Sequence, residues 1–185
     1  MQDNRRTDQL AQLAHLIHEH NVVMARISSL IGRPALVGHV GEFIASAVFE
    51  IELHPSASAK GHDGYFRAPS PLADRSVNIK WYTAFQGLLD VSLDGDEAFY
   101  LVLTGPPDGA GTSKGTVRAW VIERVYLFDA IDLRASLNAA GVGVATSIRR
   151  LLWDAAMIYP EARNPRLVLS DEQQRLLALF GQTQP

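Results

Sequence analysis

Apolar residues in the first fifty positions recur at the spacing of a helix. In residues 7–31 they fall three, four and seven positions apart, and the stripe consists of Leu10, Leu13, Ile17, Met24, Ile27 and Leu30. This period predicts an amphipathic helix over 7–31, with Thr7 or Asp8 as its N-cap and Gly32 as its stop. A second stripe predicts a helix over 38–49, and its apolar face consists of Val40, Phe43, Ile44, Ala47 and Val48.

Alternation replaces the helical period further along the chain and predicts strands. Residues 76–82 alternate, which is typical of a strand with two different faces. The apolar face consists of Val77, Ile79 and Trp81, and the polar face of Asn78, Lys80 and Tyr82. A continuous apolar run over 99–103 predicts a central strand that is buried on both faces. Further strands are expected over 116–128, which is rich in β-branched and aromatic residues, and over 65–67, after the Asp63-Gly64 turn.

The last third of the chain carries two helix signals. Residues 129–141 are expected to form a short helix closed by Gly141. Ser170 and Gln173 stand at the spacing of a capping box, which predicts a helix over 170–181. Between these helices, the segment 146–158 fits neither period.

Together these elements predict an α/β fold with a central mixed sheet flanked by helices. Several strands follow one another without intervening helices, which argues against a doubly wound parallel sheet. A chain of 185 residues is long enough for one domain with a substantial core, so we expect a single domain over 1–185. Its core, 38–128, would follow the N-terminal helix.

The composition of the chain excludes several kinds of site but does not indicate a particular function. The chain is 47% hydrophobic and 20% charged, a balance typical of globular proteins. It contains no cysteine, which excludes disulfides, thiolate zinc sites and cysteine nucleophiles. No apolar run has the length of a membrane span and the N-terminus does not resemble a signal peptide, so we expect a cytoplasmic location without membrane contact. The net charge of −3 means that any contact with nucleic acid requires a local basic patch.

Two acids and a lysine stand out because they lie in otherwise apolar surroundings. Asp63 precedes a short strand, Lys80 lies within an alternating strand, and Glu42 lies on the second predicted helix. Fifteen positions separate Asp63 from Asn78, which is enough for a strand, a loop and a return strand. The Asp63 and Lys80 side chains can therefore project into one cleft. Unpaired buried charge is costly, so a metal ion and a phosphate are the partners we expect for this group.

The residue types fit Mg²⁺ or Mn²⁺, which prefer oxygen ligands. Asp63 would supply a carboxylate, Asn78 and the main-chain carbonyl of Ile79 further oxygens, and Glu42 would bind a second ion or a metal-bound water. Lys80 would orient the attacking water and stabilise charge on the phosphorus. The expected contacts to substrate are Tyr82 and His62.

The helix glutamate Glu42, the isolated Asp63 and the strand ending at Lys80 resemble the PD-(D/E)XK superfamily, which has the restriction endonuclease-like fold. The blocks GRPALVGHVGE, KGHDGYF and VNIKWY also resemble a family of bacterial proteins of unknown function, and the resemblance covers roughly positions 32–105. The superfamily resemblance implies divalent-metal-dependent hydrolysis of phosphodiesters, usually in DNA. Glu42 would match the helix carboxylate of the superfamily, Asp63 its first motif acid and Lys80 its motif lysine.

Two departures from this motif leave a second function open. Asn78 stands where the superfamily usually has an acid, and His62 stands where a proline usually precedes the aspartate. The amide can still bind a hard ion but removes a full charge from the site. A non-catalytic module that binds nucleic acid or a protein partner is therefore the main alternative.

Other interpretations use different residues. A homodimer could form along the first helix. A zinc hydrolase could use His39, His54 and His62, but their spacing matches no zinc motif. Small basic clusters could contact phosphates or pair with surface acids, and they consist of Arg149, Arg150, Arg163 and Arg166. Taken singly, Asp63 could be a turn residue, Lys80 an edge-strand charge and Glu42 a solvated helix residue.

Overall fold

The computed structural model describes residues 2–55, 61–92, 94–107, 118–137 and 143–181, with side chains from residue 5 onward. The chain divides into two compact units, residues 1–40 and 41–185. The helices are α1 (Gln2–Ile31), α2 (Val37–Phe49), α3 (Ala130–Ser136), α4 (Arg150–Ala156) and α5 (Asp171–Ala178). The strands are β1 (Ile51–Leu53), β2 (Gly64–Phe66), β3 (Ser76–Tyr82), β4 (Leu88–Leu89), β5 (Phe99–Thr104), β6 (Arg124–Asp129), β7 (Thr146–Ser147) and β8 (Met157–Tyr159).

A mixed six-stranded sheet with the order β1-β2-β3-β5-β6-β8 forms the centre of the second unit. Strands β3 and β5 are parallel, and the other neighbours are antiparallel. Strands β4 and β7 form a separate antiparallel pair. This arrangement confirms the predicted α/β class with a central mixed sheet.

Strand β3 has the two faces that its alternation predicts. Val77, Ile79 and Trp81 are buried, while the side chains between them are half-buried. Helix α2 packs on the Trp81 side, where a Cβ added to Gly41 would lie only 2.9 Å from the Trp81 Cβ. The helix backbone can approach the strand this closely because Gly41 has no side chain. Strand β5 is buried along its whole length, as its continuous apolar run predicts.

Helix α2 has the predicted bounds within one residue, but its buried face differs from the predicted one. Phe43 and Ala47 are exposed, whereas Gly41, Ala45 and Phe49 are buried. The small residues face the sheet because they permit close packing, and this turns the Phe43 side chain outward. The expected apolar face was therefore wrong at two of its five positions.

Helix α1 starts earlier than predicted and ends where predicted. Thr7 and Asp8 lie inside the helix and do not cap it, because the polar residues before them, including two arginines, are compatible with helix. At the other end Gly32 has a φ of +69° and its N–H donates to the Ser28 carbonyl at 2.9 Å. A left-handed glycine closes the helix, as expected.

The strand expected over 116–128 begins only at Arg124. Residues 118–123 are irregular, and 116–117 lie outside the described residues. Their main chain has other partners: Ile122 N–H donates to the Phe180 carbonyl at 2.8 Å, and Glu123 N–H donates to the Thr104 carbonyl at 2.8 Å. Since β5 ends at Thr104, the preceding residues have no neighbouring strand of the sheet to pair with. The prediction was wrong for this part of the chain.

Capping interactions start the two helices predicted in the last third. Ser170 Oγ accepts from Gln173 N–H at 3.2 Å and Gln173 Oε1 accepts from Ser170 N–H at 3.0 Å, which confirms the capping box. Asp129 caps α3. The expected closing glycine of that helix, Gly141, lies outside the described residues, as does Lys60 of the KGHDGYF block. No helix within the described ranges is both long and apolar enough to cross a membrane.

Candidate functional site

The Asp63 side chain lies against the main chain of strand β3. Asp63 N–H donates to the Val77 carbonyl at 2.9 Å, which continues the β2–β3 ladder beyond β2. The next donor along β3, Ile79 N–H, is bound by Asp63 Oδ2 at 2.6 Å. A carboxylate thus replaces a main-chain acceptor at the end of the ladder. This contact joins Asp63 to the main chain of the Asn78-Ile79-Lys80 triplet. Asp63 is not among the residues that line the cleft onto which Asn78 and Lys80 open, so a cleft shared by Asp63 and Lys80 stays a prediction.

The amide of Asn78 is held by one hydrogen bond and presents one unpartnered oxygen. Its Nδ2 donates to the Gly61 carbonyl at 3.1 Å. Because a carbonyl can only accept, this bond fixes which end of the amide faces Gly61. Oδ1 is buried and has no hydrogen-bond partner within the described part of the chain. A buried acceptor without a partner is costly, so this atom is suited to a ligand that supplies a donor or a cation.

Asn78 and Lys80 open onto the same cleft, which has a volume of about 290 Å³. The cleft is also lined by Gly61, Asp90, Val91, Ser92, Glu97, Tyr100, Gly143 and Val144. Lys80 is half-buried, and none of the described residues forms an ion pair or hydrogen bond with its Nζ. The polar face of β3 therefore gives this cleft a cation and an amide oxygen.

Glu97 is a buried acid of the cleft that the sequence did not reveal. It is 3% exposed and forms an ion pair with Arg134, whose Nε also donates to the Ser92 carbonyl at 2.9 Å. The Tyr100 hydroxyl accepts from Ser92 N–H at 3.0 Å. Burial, together with a hydrogen bond to Glu97, raises the pKa of Tyr100. The only signal in the sequence was that Glu97 is an acid two residues before the apolar run of β5. Many exposed turn residues also stand just before a strand, so this signal does not identify a buried acid.

His62 lies beside the cleft in a cluster of rings and does not line it. The residue is 8% exposed, with its ring centroid 4.8 Å from that of His54 and 4.7 Å from that of Tyr65. His62 Nδ1 is 3.1 Å from Asp96 Oδ1, and this hydrogen bond lowers the pKa of Asp96. His62 Nε2 is buried and unpartnered within the described residues. The hydrogen bond between His62 and Asp96 holds residues 61–63 against Asp96, which directly precedes Glu97 in the chain.

Tyr82 lies on the same face of β3 as Lys80 but opens onto a different, smaller cavity of about 120 Å³. Its hydroxyl accepts from Asp90 N–H at 3.0 Å. Burial raises the pKa of Tyr82 to about 12. Asp90 lines both cavities. The hydrogen bond from Asp90 N–H to the Tyr82 hydroxyl therefore helps to hold Asp90 in the wall of the larger cleft.

Glu42 is half-buried on α2, directly after Gly41, and does not line the cleft. Gly41 packs on Trp81, which projects from β3 on the side opposite to Asn78 and Lys80. Across the described residues, no group of three or more His, Asp or Glu side chains is close enough to hold a metal ion. A metal site here would therefore combine carboxylate, amide and main-chain oxygens.

The basic clusters predicted as alternative phosphate contacts are largely paired with acids. Arg163 Nη2 lies 2.6 Å from Glu161 Oε2, and Arg166 contacts Asp129 and Asp132, each at 3.2 Å. Arg150 lies 3.7 Å from a carboxylate oxygen of Asp154. The interpretation that these arginines pair with surface acids is confirmed for Arg150, Arg163 and Arg166, whereas Arg149 has no ion pair within the described residues.

Comparisons with known proteins do not assign the site. No protein-family model matches this chain, and no curated protein sequence matches it. The chemistry is therefore argued from the residues of the site, and membership of the PD-(D/E)XK superfamily stays a prediction.

Proposed function

We propose that the protein is a Mg²⁺- or Mn²⁺-dependent nuclease of restriction endonuclease-like architecture that hydrolyses phosphodiester bonds in DNA. The observation that carries this proposal is the 2.6 Å hydrogen bond from Ile79 N–H to Asp63 Oδ2. It brings an acid to the strand whose flanking side chains, Asn78 and Lys80, open onto one cleft. This contact supports a site in which the acid, the amide oxygen and the lysine act together at one end of the hairpin.

The sheet supports the architecture. Strands β1, β2 and β3 form an antiparallel meander, and β5 lies parallel to β3 at the centre of the sheet. Helix α2 packs against β3 and directly precedes the meander in the chain. Along the chain, Glu42 on α2 precedes the meander, Asp63 directly precedes β2 and Lys80 lies on β3, an order that supports the resemblance to the superfamily motif.

The available atoms fit a hard divalent ion. Asp63 offers a carboxylate, Asn78 Oδ1 is a buried oxygen with no partner among the described residues, and Ile79 offers a main-chain carbonyl. Mg²⁺ and Mn²⁺ prefer oxygen ligands of these kinds. Glu42, which does not line the cleft, is not part of this ligand set. When bound, the ion supplies Lewis acidity and positive charge beside a phosphate group.

Lys80 carries the part of the chemistry that the protein itself performs. Lys80 is half-buried and its ammonium has no ion pair within the described ranges, so its charge is available to phosphate oxygens. In partly desolvated surroundings such a charge stabilises the more negative transition state more than it does in water. The same group orients water for attack. Asn78, fixed by Gly61, presents its oxygen without reorganisation.

A non-catalytic module is the second candidate, and two observations favour it. Asp63 Oδ2 already accepts a main-chain hydrogen bond, which gives the acid a structural role. Asn78 contributes no charge, and no three-acid cluster exists within the described residues. Such a protein would bind nucleic acid or a protein partner through the same cleft without cleaving anything.

A cleavage assay on duplex and single-stranded DNA, with Mg²⁺, Mn²⁺ or a chelator, separates the two functions. Lys80→Gln is the test variant, and Arg26→Gln is its control because it removes one positive charge from an exposed position outside the cleft. The nuclease proposal predicts metal-dependent cleavage that falls about 100-fold or more in Lys80→Gln and is unchanged in Arg26→Gln. Absence of cleavage by the wild type, with equal DNA binding in metal and in chelator, would overturn it and support the module.

A further inference from the structure

Helix α1 exposes an apolar stripe along most of its length. Every side chain from residue 5 to residue 23 is exposed, including several leucines and valines. A thirty-residue helix is about 45 Å long, and a helix without packed side chains is only marginally stable in water. The stripe is therefore the feature of α1 that a partner would be expected to cover.

The stripe follows the alternating three- and four-residue spacing of a coiled coil without interruption. The positions are Leu10, Leu13, Ile17, His20, Met24, Ile27 and Ile31. Leu16, Val23 and Leu30 flank them on one side and widen the apolar face. Spacing of this kind keeps one face of a helix turned toward another helix over many turns.

The exposed area is what a stable pair of helices requires. Leu10, Leu13, Leu16, Ile17, Val23 and Leu30 are each between 50% and 76% exposed. At about 100 Å² each, the six side chains would bury roughly 1,200 Å² when two copies of the helix pair, which reaches the lower end of specific interfaces. None of the other helices in the described part of the chain is of this length, so another copy of the chain is the occupant that matches the stripe in both length and character.

Charge distribution favours a second copy over a membrane surface. Along α1, three arginines (Arg5, Arg6 and Arg26) balance three acids (Asp3, Asp8 and Glu19). A helix that lies on a membrane usually has a polar face rich in Lys and Arg, which α1 lacks. The neutral polar face also avoids repulsion between two identical helices.

We propose that α1 is a homodimerisation helix that pairs with α1 of a second copy along the stripe of Leu10, Leu13 and Ile17. The inference is independent of the nuclease proposal. His20 occupies a seam position of the repeat, whereas His18 lies on another face of the helix. A polar residue in the seam weakens pairing, so His20 limits the strength of the dimer.

Sedimentation equilibrium of the full chain tests the proposal. The wild type is expected to form a reversible dimer, and Leu13→Glu/Ile17→Glu is expected to be monomeric, while the control Gln12→Glu remains dimeric. His20→Leu is expected to tighten the dimer about tenfold or more, with no change for His18→Leu. The histidine pair keeps the test valid even if the double glutamate variant folds poorly.

Three results would overturn the proposal: a monomeric wild type at high concentration, a dimer that Leu13→Glu/Ile17→Glu leaves intact, or equal effects of His20→Leu and His18→Leu. Vesicles and unrelated coiled-coil peptides serve as competing partners. Binding to either without self-association would show that a different occupant covers the stripe.

Discussion

Removal of the Asp63 carboxylate tests the contact on which the candidate site depends. Ile79 is 6% exposed, and its N–H donates to Asp63 Oδ2 at 2.6 Å. Asp63→Ala leaves this buried donor without its acceptor. Hydrogen bonds to charged groups contribute about 1.5–3 kcal/mol, and a buried donor left unpaired costs a similar amount. We therefore expect Asp63→Ala to lower the free energy of unfolding by about 1.5–3 kcal/mol.

Asp63→Asn provides the matched control. Its side-chain oxygen can still accept from Ile79 N–H, but the bond is no longer charge-assisted, so we expect a loss of only about 1 kcal/mol. Urea unfolding followed by tryptophan fluorescence measures both variants, since Trp81 and Trp153 are buried. An unchanged denaturant dependence would show that stability alone has changed.

The Ala variant is expected to be clearly less stable than the Asn variant. If both lie within about 0.5 kcal/mol of the wild type, the bond between Asp63 and strand β3 does not exist in solution. If both lose the same amount, the charge of the carboxylate matters and its role as an acceptor does not. Either result would remove the structural basis for gathering Asp63, Asn78 and Lys80 at one site.

Three further predictions concern the surroundings of the cleft. Asn78→Asp should lower the free energy of unfolding by about 1–3 kcal/mol in chelator, because a carboxylate replaces the donor to the Gly61 carbonyl. Binding of Mn²⁺ to the added carboxylate should restore the stability. If Mn²⁺ does not restore it, the result contradicts a metal site. Glu97→Gln should cost about 3 kcal/mol in urea unfolding, because it leaves the Arg134 charge without its buried partner; a loss below about 0.5 kcal/mol would show that the pair contributes little. Burial raises the pKa of Tyr82 to about 12, so the neutral phenol is favoured in the folded state. The contribution of the buried neutral Tyr82 to the stability of the folded state is complete below about pH 10, the pKa of an exposed tyrosine. This contribution is lost as the pH rises to about 12. Wild type should thus lose more stability than Tyr82→Phe between these pH values, and parallel losses would contradict the assigned burial.

Much of strand β3 could be predicted from local pattern alone. Its alternation fixed which side chains share a face, and Asn78 and Lys80 do line one cleft. Their nearness to Asp63 was predicted only as an outcome of spacing. The contact itself depends on where the β2–β3 ladder ends, since Asp63 reaches Ile79 N–H only because no main-chain acceptor of β2 occupies that position.

Tertiary packing decided what the pattern could not. The buried face of α2 was mispredicted at Phe43 because the pattern ranks residues by hydrophobicity, whereas the sheet selects small residues that allow close approach. Glu97 was missed because its burial depends on Arg134, which is thirty-seven positions away. Pairings of this range have no periodicity in the sequence.

Calorimetric titration of Mn²⁺ into the wild type and Asp63→Asn, with and without a short DNA duplex, tests the proposed metal site most directly. Asp63→Asn retains an acceptor for Ile79 N–H, so lost binding would not simply reflect lost structure. We predict that the wild type binds Mn²⁺, more tightly when the duplex is present, and that Asp63→Asn does not bind it under either condition. Equal binding by both proteins, or no binding by the wild type even with DNA, would contradict a metal-dependent nuclease site at Asp63, Asn78 and Lys80.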